Sequence, residues 1–158
     1  MTRRLRVGLV CPYSLTVPGG VQAQVLGLAR ELRRRGVEAR VLGPCDGPPP
    51  EAFVTPVGDS LPTAANGSIA PIAPDPPAVL RTLRALHDEA FDVVHLHEPL
   101  APGATVAALM VHRAPTVGTF HAAGTSASYR ILGPALRRLV DRLDHRVVVS
   151  KDALALVQ

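Results

Sequence analysis

Residues 5–42 read LRVGLVCPYSLTVPGGVQAQVLGLARELRRRGVEARVL. The hydrophobic period changes twice along this stretch. Leu5–Cys11 is a short, β-branched apolar run of the kind that fills a parallel strand buried on both faces. From Val21 to Arg35 the apolar positions return at helical spacing. Val21, Val25, Leu28 and Leu32 share one face, and Gln24, Glu31, Arg34 and Arg35 point away from it. Gly36 follows where a C′ residue is expected, and Glu38–Leu42 reads as a second strand. Strand, helix and strand within about 40 residues form a βαβ unit, whose crossover is right-handed in almost every known case.

The alternation is interrupted and then resumes. Ten of the 16 prolines lie between Pro44 and Pro77, which excludes a long helix or a central strand there. Ala52–Val57 and Ser68–Ile72 remain as candidate edge strands, and so long an irregular excursion in a compact domain favours a binding loop somewhat over a plain surface excursion. Beyond it the pattern predicts helices over Ala78–Ala90, with Val79, Leu83 and Leu86 inward, and over Ala101–Val111. A further helix is expected over Ala127–Leu143, with Pro134 as its kink or its true start. Strands are expected over Asp92–Leu96, Thr116–Phe120 and Arg146–Val149, then a short helix capped near Ser150. No internal repeat is visible. The whole reads as one α/β domain with a Rossmann-like, doubly wound parallel sheet, in which ligands gather beyond the carboxyl ends of the strands.

The totals agree. A chain of 158 residues fits one domain, and 47% hydrophobic with 19% charged residues is a globular composition. No apolar run approaches the roughly 18 residues needed to span a bilayer, and no secretory signal follows the basic start, so a cytoplasmic location is expected. Cys11 and Cys45 make no disulfide framework and are expected to be free. The formal charge of +4 comes almost wholly from arginine, Lys151 being the single lysine. With 3% aromatics and no Trp there is little to stack on bases, so nucleic acid is excluded as the partner. A phosphate-bearing ligand or an anionic membrane surface fits the charge better.

Four segments lie where a ligand would bind. In Pro12–Gln22 (PYSLTVPGGVQ), Gly19 and Gly20 clear the backbone just before a helix whose free N–H groups and positive dipole end suit a diphosphate; an ordinary turn is the competing reading. His95, His97 and Glu98 stand at a strand end, with the two histidines on one side of the sheet. No further ligands are spaced for a metal, so a polar cluster shaping the cleft is preferred and no metal is expected. His121 ends another strand, facing the crevice or held as a structural histidine. Asn66-Gly67-Ser68 is a turn by composition that offers an amide and a hydroxyl.

In this order and spacing, VCPYSLTVPGGVQ, NGSIA, FDVVHLHEPLAP, TVGTFHA and RVVVSKDA resemble the N-terminal domain of GT-B-fold family 4 glycosyltransferases, closest to the actinobacterial phosphatidylinositol mannosyltransferases. The resemblance runs from the first strand to the end of the chain; PYSxxVPGGVQ and HxHEP are its specific parts. It implies that residues 1–158 form the N-terminal, acceptor-side domain, half of a GT-B fold. The C-terminal nucleotide-sugar domain then lies outside the chain, which is expected to be inactive alone.

By the same resemblance, Gly19 and Gly20 meet the donor diphosphate and His121 contacts the transferring sugar. Tyr13, Gln22, Asn66 and Ser68 lie toward the acceptor, and His97 and Glu98 shape the cleft. The implied donor is GDP-mannose, with no other cofactor, and the implied acceptor is phosphatidylinositol or a related inositol compound. The implied setting is the inner face of the cell membrane, in peripheral contact. This chain departs from the family in carrying Pro71 where a basic residue follows NGSxA and in keeping only Arg81 and Arg84 on the helix that elsewhere bears a lysine-rich membrane face. Two other readings stay open: a family 4 transferase with a soluble acceptor such as an inositol phosphate, and a non-enzymatic phosphate- or nucleotide-binding α/β module.

Overall fold

The structure, a computed structural model, describes residues 3–65, 68–111, 114–121 and 133–154. Strands β1 (Arg6–Val10), β2 (Glu38–Gly43), β3 (Val54–Pro56), β6 (Val93–His97), β7 (Thr116–Phe120) and β8 (His145–Val148) form one sheet in the order β3-β2-β1-β6-β7-β8. Every pairing in it is parallel. Strands β4 (Leu61–Ala65) and β5 (Ser68–Ile72) pair antiparallel as a separate hairpin. With the hairpin set aside, the sheet runs third-second-first-fourth-fifth-sixth, the Rossmann order that reverses between its first and fourth members. Here that switch point lies between β1 and β6.

The helices are α1 (Gly20–Arg34), α2 (Pro76–Glu89), α3 (Ala104–Val111), α4 (Gly133–Val140) and α5 (Lys151–Leu154). Strand alternation divides the core into two layers. Val7, Leu9 and Cys11 pack with Val25, Leu26 and Ala29 of α1. Val10, Val94, Leu96 and Phe120 pack on the other face with Leu86, Ala104, Ala108 and Leu143. The stripe that α1 buries is Gln22, Val25, Leu26 and Ala29, rotated from the apolar face expected from the sequence. Val21, Leu28 and Leu32 sit at the margin, because a polar side chain, Gln22, occupies part of the buried strip.

Other boundaries shift for local reasons. Helix α2 begins two residues early at Pro76, since proline costs nothing where the N–H has no helical partner; Asp75 caps it, its Oδ2 accepting from the N–H of Ala78 at 3.1 Å. Helix α3 starts at Ala104 and not Ala101, because Gly103 takes φ +100 and ends the preceding turn. Of the helix expected over 127–143, residues 133–140 are helical and 122–132 lie outside the described residues. Strand β4 was not expected, because its five residues LPTAA carry little strand propensity. In the hairpin Pro62 faces Pro71; only two strands meet there, so prolines without a ladder donor are tolerated.

Two strand glycines are fixed by packing. A Cβ on Gly8 would stand 2.5 Å from the Phe91 ring, and one on Gly118 would stand 2.5 Å from Leu143. Among the described residues no helix is long and apolar enough to cross a membrane.

Candidate functional site

The carboxyl ends of β1, β6 and β7 lie side by side at the switch point, and each leads into a segment singled out above. From β1 the chain turns through residues 11–19 into α1. The turn is anchored at several points: the Cys11 N–H donates to Leu42 O at 2.9 Å, Ser14 N–H to Pro71 O at 2.8 Å and Leu15 N–H to Pro44 O at 2.8 Å. Burial pushes the Cys11 thiol up to about 12, so it is no nucleophile. Gly19 is the N-cap of α1 in extended backbone, with no side-chain cap and no acidic residue in the first turn. The first N–H groups of the helix therefore face outward with the positive dipole end unopposed.

The two glycines differ. A Cβ on Gly20 would meet nothing within 4 Å, so the space in front of it is open. A Cβ on Gly19 would run into the side-chain amide of Gln22, with Cδ 2.8 Å and Nε2 2.9 Å away. Gln22 is 7% exposed and donates from Nε2 to Ser14 O at 3.3 Å. Its amide ties the start of α1 to the loop from beneath.

Along β6 and β7 and just past the end of β7, alternation puts His95, His97, Thr119 and His121 on the α1 side of the sheet, opposite Leu96 and Phe120. His95 stacks on His97 with centroids 4.3 Å apart, and His97 on His121 at 5.2 Å. His95 Nε2 is 2.7 Å from Thr119 Oγ1, and His97 Nδ1 is 2.9 Å from His121 Nε2. Burial, with the other histidines beside them, pushes His95 down to about 4 and His97 to about 2; burial also lowers His121. All three are neutral at pH 7, which permits a close stack that three imidazoliums would forbid. Glu98 is buried at φ +49; its Oε1 accepts the His121 N–H, and its own N–H donates to Thr119 O at 2.8 Å. That carboxylate fixes the backbone of His121 directly. Among the described residues, no group of three or more His, Cys, Asp or Glu is arranged around a metal.

The remaining sequence candidates are placed in part. Tyr13 bridges to Ile72 of the hairpin, on the β1 side of the crevice. Asn66 lies outside the described residues; Ser68 opens β5 opposite Ala65, and its side chain is likewise outside them. Sequence reasoning missed Asp46. Its Oδ2 accepts from Ser14 Oγ at 2.5 Å and from Ser60 Oγ at 2.8 Å, its Oδ1 accepts from Ser60 N–H at 2.7 Å, and its own N–H donates to Thr16 Oγ1 at 2.9 Å. The Ser14 hydroxyl is the main reason its carboxyl is held below the usual range. Asp46 follows the carboxyl end of β2, so the crevice rule applied to that strand would have found it.

A Rossmann-ordered sheet whose switch point is bordered by an uncapped helix start and a neutral histidine stack has the chemistry to receive an anion with an attached polar group. The comparisons make this specific. Residues 18–158 match the model of Glycosyltransferase Family 4, and the chain belongs to that family. It is 42% identical over 149 residues to a phosphatidyl-myo-inositol mannosyltransferase of Mycobacterium leprae, covering 92% of this chain and 40% of that protein. Proteins of the same name from Propionibacterium freudenreichii and Mycolicibacterium smegmatis are each 38% identical, over 94% and 92% of this chain and 42% and 38% of their own lengths. The chain thus spans about two fifths of the curated relatives it matches. Among solved structures, MurG of Acinetobacter baumannii superposes with a TM-score of 0.54 at 16% identity, covering 91% of this chain and 45% of that one, a likeness of fold.

Proposed function

We propose that this chain is the acceptor-side domain of a retaining glycosyltransferase that moves mannose from GDP-mannose to phosphatidylinositol or a related inositol-type acceptor. The 42% identity over 92% of the chain with a phosphatidyl-myo-inositol mannosyltransferase carries the reading. The site chemistry supports it. A second domain outside this chain supplies the nucleotide pocket, and the GDP diphosphate meets the backbone N–H groups at Gly19 and Gly20. His121 directly follows β7, two strand spacings or roughly 10 Å from β1, a span that fits a sugar attached to that diphosphate. Tyr13, Gln22, Asn66 and Ser68 border the acceptor side, and His97 and Glu98 hold the floor of the cleft.

In the transfer, the bond between the anomeric carbon and the diphosphate oxygen breaks and its electron pair leaves with GDP. Amides fixed at the helix start stabilise that charge without reorganising, and one such donor is worth roughly 3 kcal/mol. The acceptor oxygen bonds to the same face of the anomeric carbon, and its proton passes to the departing phosphate oxygen. The reaction takes place in the cytoplasm, at the inner face of the membrane.

The test compares the 158-residue chain with the same chain carried in a full-length family 4 polypeptide, each given GDP-mannose and phosphatidylinositol, with products read by mass spectrometry. Turnover by the full-length form alone is expected. Turnover by the short chain would overturn the two-domain reading, and a folded full-length form without mannosyl product would overturn the donor and acceptor. A soluble inositol-phosphate acceptor is favoured by one observation: Arg81 spends its guanidinium on Val57 O at 3.2 Å, and Arg84 pairs with Asp88. Product on free inositol phosphate and none on the lipid would select it.

A further inference from the structure

His97 is 1% exposed, yet its Nε2 is buried with no hydrogen-bond partner among the described residues. Its other nitrogen, Nδ1, meets His121 Nε2 at 2.9 Å. With both rings neutral, a single proton lies between them and only two arrangements exist. If His121 donates, His97 must carry its own proton on Nε2, leaving a buried N–H with nothing to bond. If His97 donates from Nδ1, the orphan is a bare ring nitrogen. Buried donors without partners are the rarer and costlier defect, so the second arrangement wins. His121 Nε2 is then an acceptor, and its proton must sit on Nδ1.

We propose that His97 is a positioning residue that locks His121 in its Nδ1–H form and so presents a hydrogen-bond donor to the crevice. Free histidine favours the opposite tautomer, so the lock does something that His121 would not do by itself. The neighbours reinforce it. His95 stacks on the far face of His97 and is itself held by Thr119, which keeps the His97 ring from turning. Glu98 fixes the backbone N–H of His121, so neither partner of the 2.9 Å contact is free to drift. Burial lowers the basicity of His97 and of the half-buried His121, which removes the doubly protonated alternative at neutral pH. The ligand chemistry is therefore an acceptor oxygen, a sugar hydroxyl or a phosphate oxygen, at His121 Nδ1. This role rests on the glycosyl-transfer reading above for the identity of that oxygen, but the tautomer itself does not.

The experiment is histidine-detected nitrogen NMR on the 158-residue chain labelled with 15N-histidine, near pH 7.5 and without ligand. The expected spectrum has His121 protonated on Nδ1 and bare on Nε2, with His97 protonated on Nδ1. In His97→Phe, which keeps a flat ring of similar size, His121 is expected to lose the Nδ1–H form as its major species. In His97→Asn, whose amide nitrogen replaces Nδ1, that form is expected to return; in His97→Gln, whose amide reaches the Nε2 position, it is not. His121 protonated on Nε2 in the unsubstituted chain would overturn the proposal, whether or not any variant folds. So would an unchanged His121 tautomer in folded His97→Phe. Because no donor or acceptor is added, an Nδ1–H tautomer in a protein that transfers no sugar would sink the functional reading and leave this one standing.

Discussion

Replacing Gly20 with alanine should raise stability and lower transfer in the same molecule. Gly20 is the first residue of α1, its φ lies outside the left-handed region, and a Cβ there meets nothing within 4 Å. With no strain and no clash, the folded state loses nothing while the unfolded chain loses freedom. Such a change stabilises by about 0.4–1 kcal/mol, a rise in Tm of roughly 1–4 °C for a domain of this size. If a diphosphate approaches the backbone at this point, the same methyl occupies the space of a phosphate oxygen. Transfer by the full-length enzyme should then fall at least about tenfold, about 1.4 kcal/mol of barrier. Gly19→Ala is the internal control. Its Cβ displaces the Gln22 amide and breaks the 3.3 Å bond to Ser14 O, costing about 1–3 kcal/mol and several degrees of Tm. Differential scanning calorimetry on the short chain and product formation by the full-length enzyme give the two readouts. A Gly20→Ala protein with a lower Tm would refute the helix-start argument, and one with raised Tm and full transfer would show that nothing binds at the open face.

Three further outcomes are expected. Because folding lowers the basicity of the buried histidines, the unfolded state binds more protons below pH 6.5, so stability falls with pH from 6.5 toward about 4 for His95 and about 2 for His97. The slope is about 1.4 kcal/mol per pH unit for each of the two, and a urea midpoint that stays flat between pH 7 and 5 would exclude it. Glu98→Ala loses the acceptor for the His121 N–H but keeps the left-handed backbone, costing about 1–3 kcal/mol; Glu98→Gly relieves that backbone and should be milder by about 1 kcal/mol, the reverse order in urea unfolding ruling out strain at φ +49. Sedimentation with anionic vesicles should be weak and lost at high salt, at about 1 kcal/mol per arginine near the surface, and salt-independent binding would mean that charge is not the cause.

The parallel sheet was legible because each buried strand is a short apolar run and each helix repeats at its own period. Of the β4–β5 hairpin, Ser68–Ile72 was legible as a strand but its partner was not, since LPTAA carries a proline and little strand propensity and is ordered by pairing with β5. The histidines at 95 and 97 could be put on one face by alternation. That His121 joins them depends on the register setting His97 beside Thr119, which no single segment encodes. Glu98 precedes Pro99, a position that ordinarily disfavours helical backbone and prefers extended conformations. Its left-handed φ goes with two hydrogen bonds, to Thr119 of β7 and to His121 just beyond it, partners more than twenty residues away in sequence. Asp46 escaped notice for the same reason: its three partners, Ser14, Thr16 and Ser60, come from two separate loops.

The packing of Gly8 against Phe91, and of Gly118 against Leu143, bears on how this sequence can change. In each pair one volume is shared between two positions, all of it held by the larger residue. A methyl added at Gly8 finds the Phe91 ring already in its place, and a smaller residue at 91 beside an unchanged Gly8 leaves a cavity, so a change at either position alone is costly. The accepted route is a paired exchange, a larger residue on the strand with a smaller one at 91 or 143. Across descendants of this chain the two members should therefore vary together or stay fixed together, leaving a correlated trace set by packing.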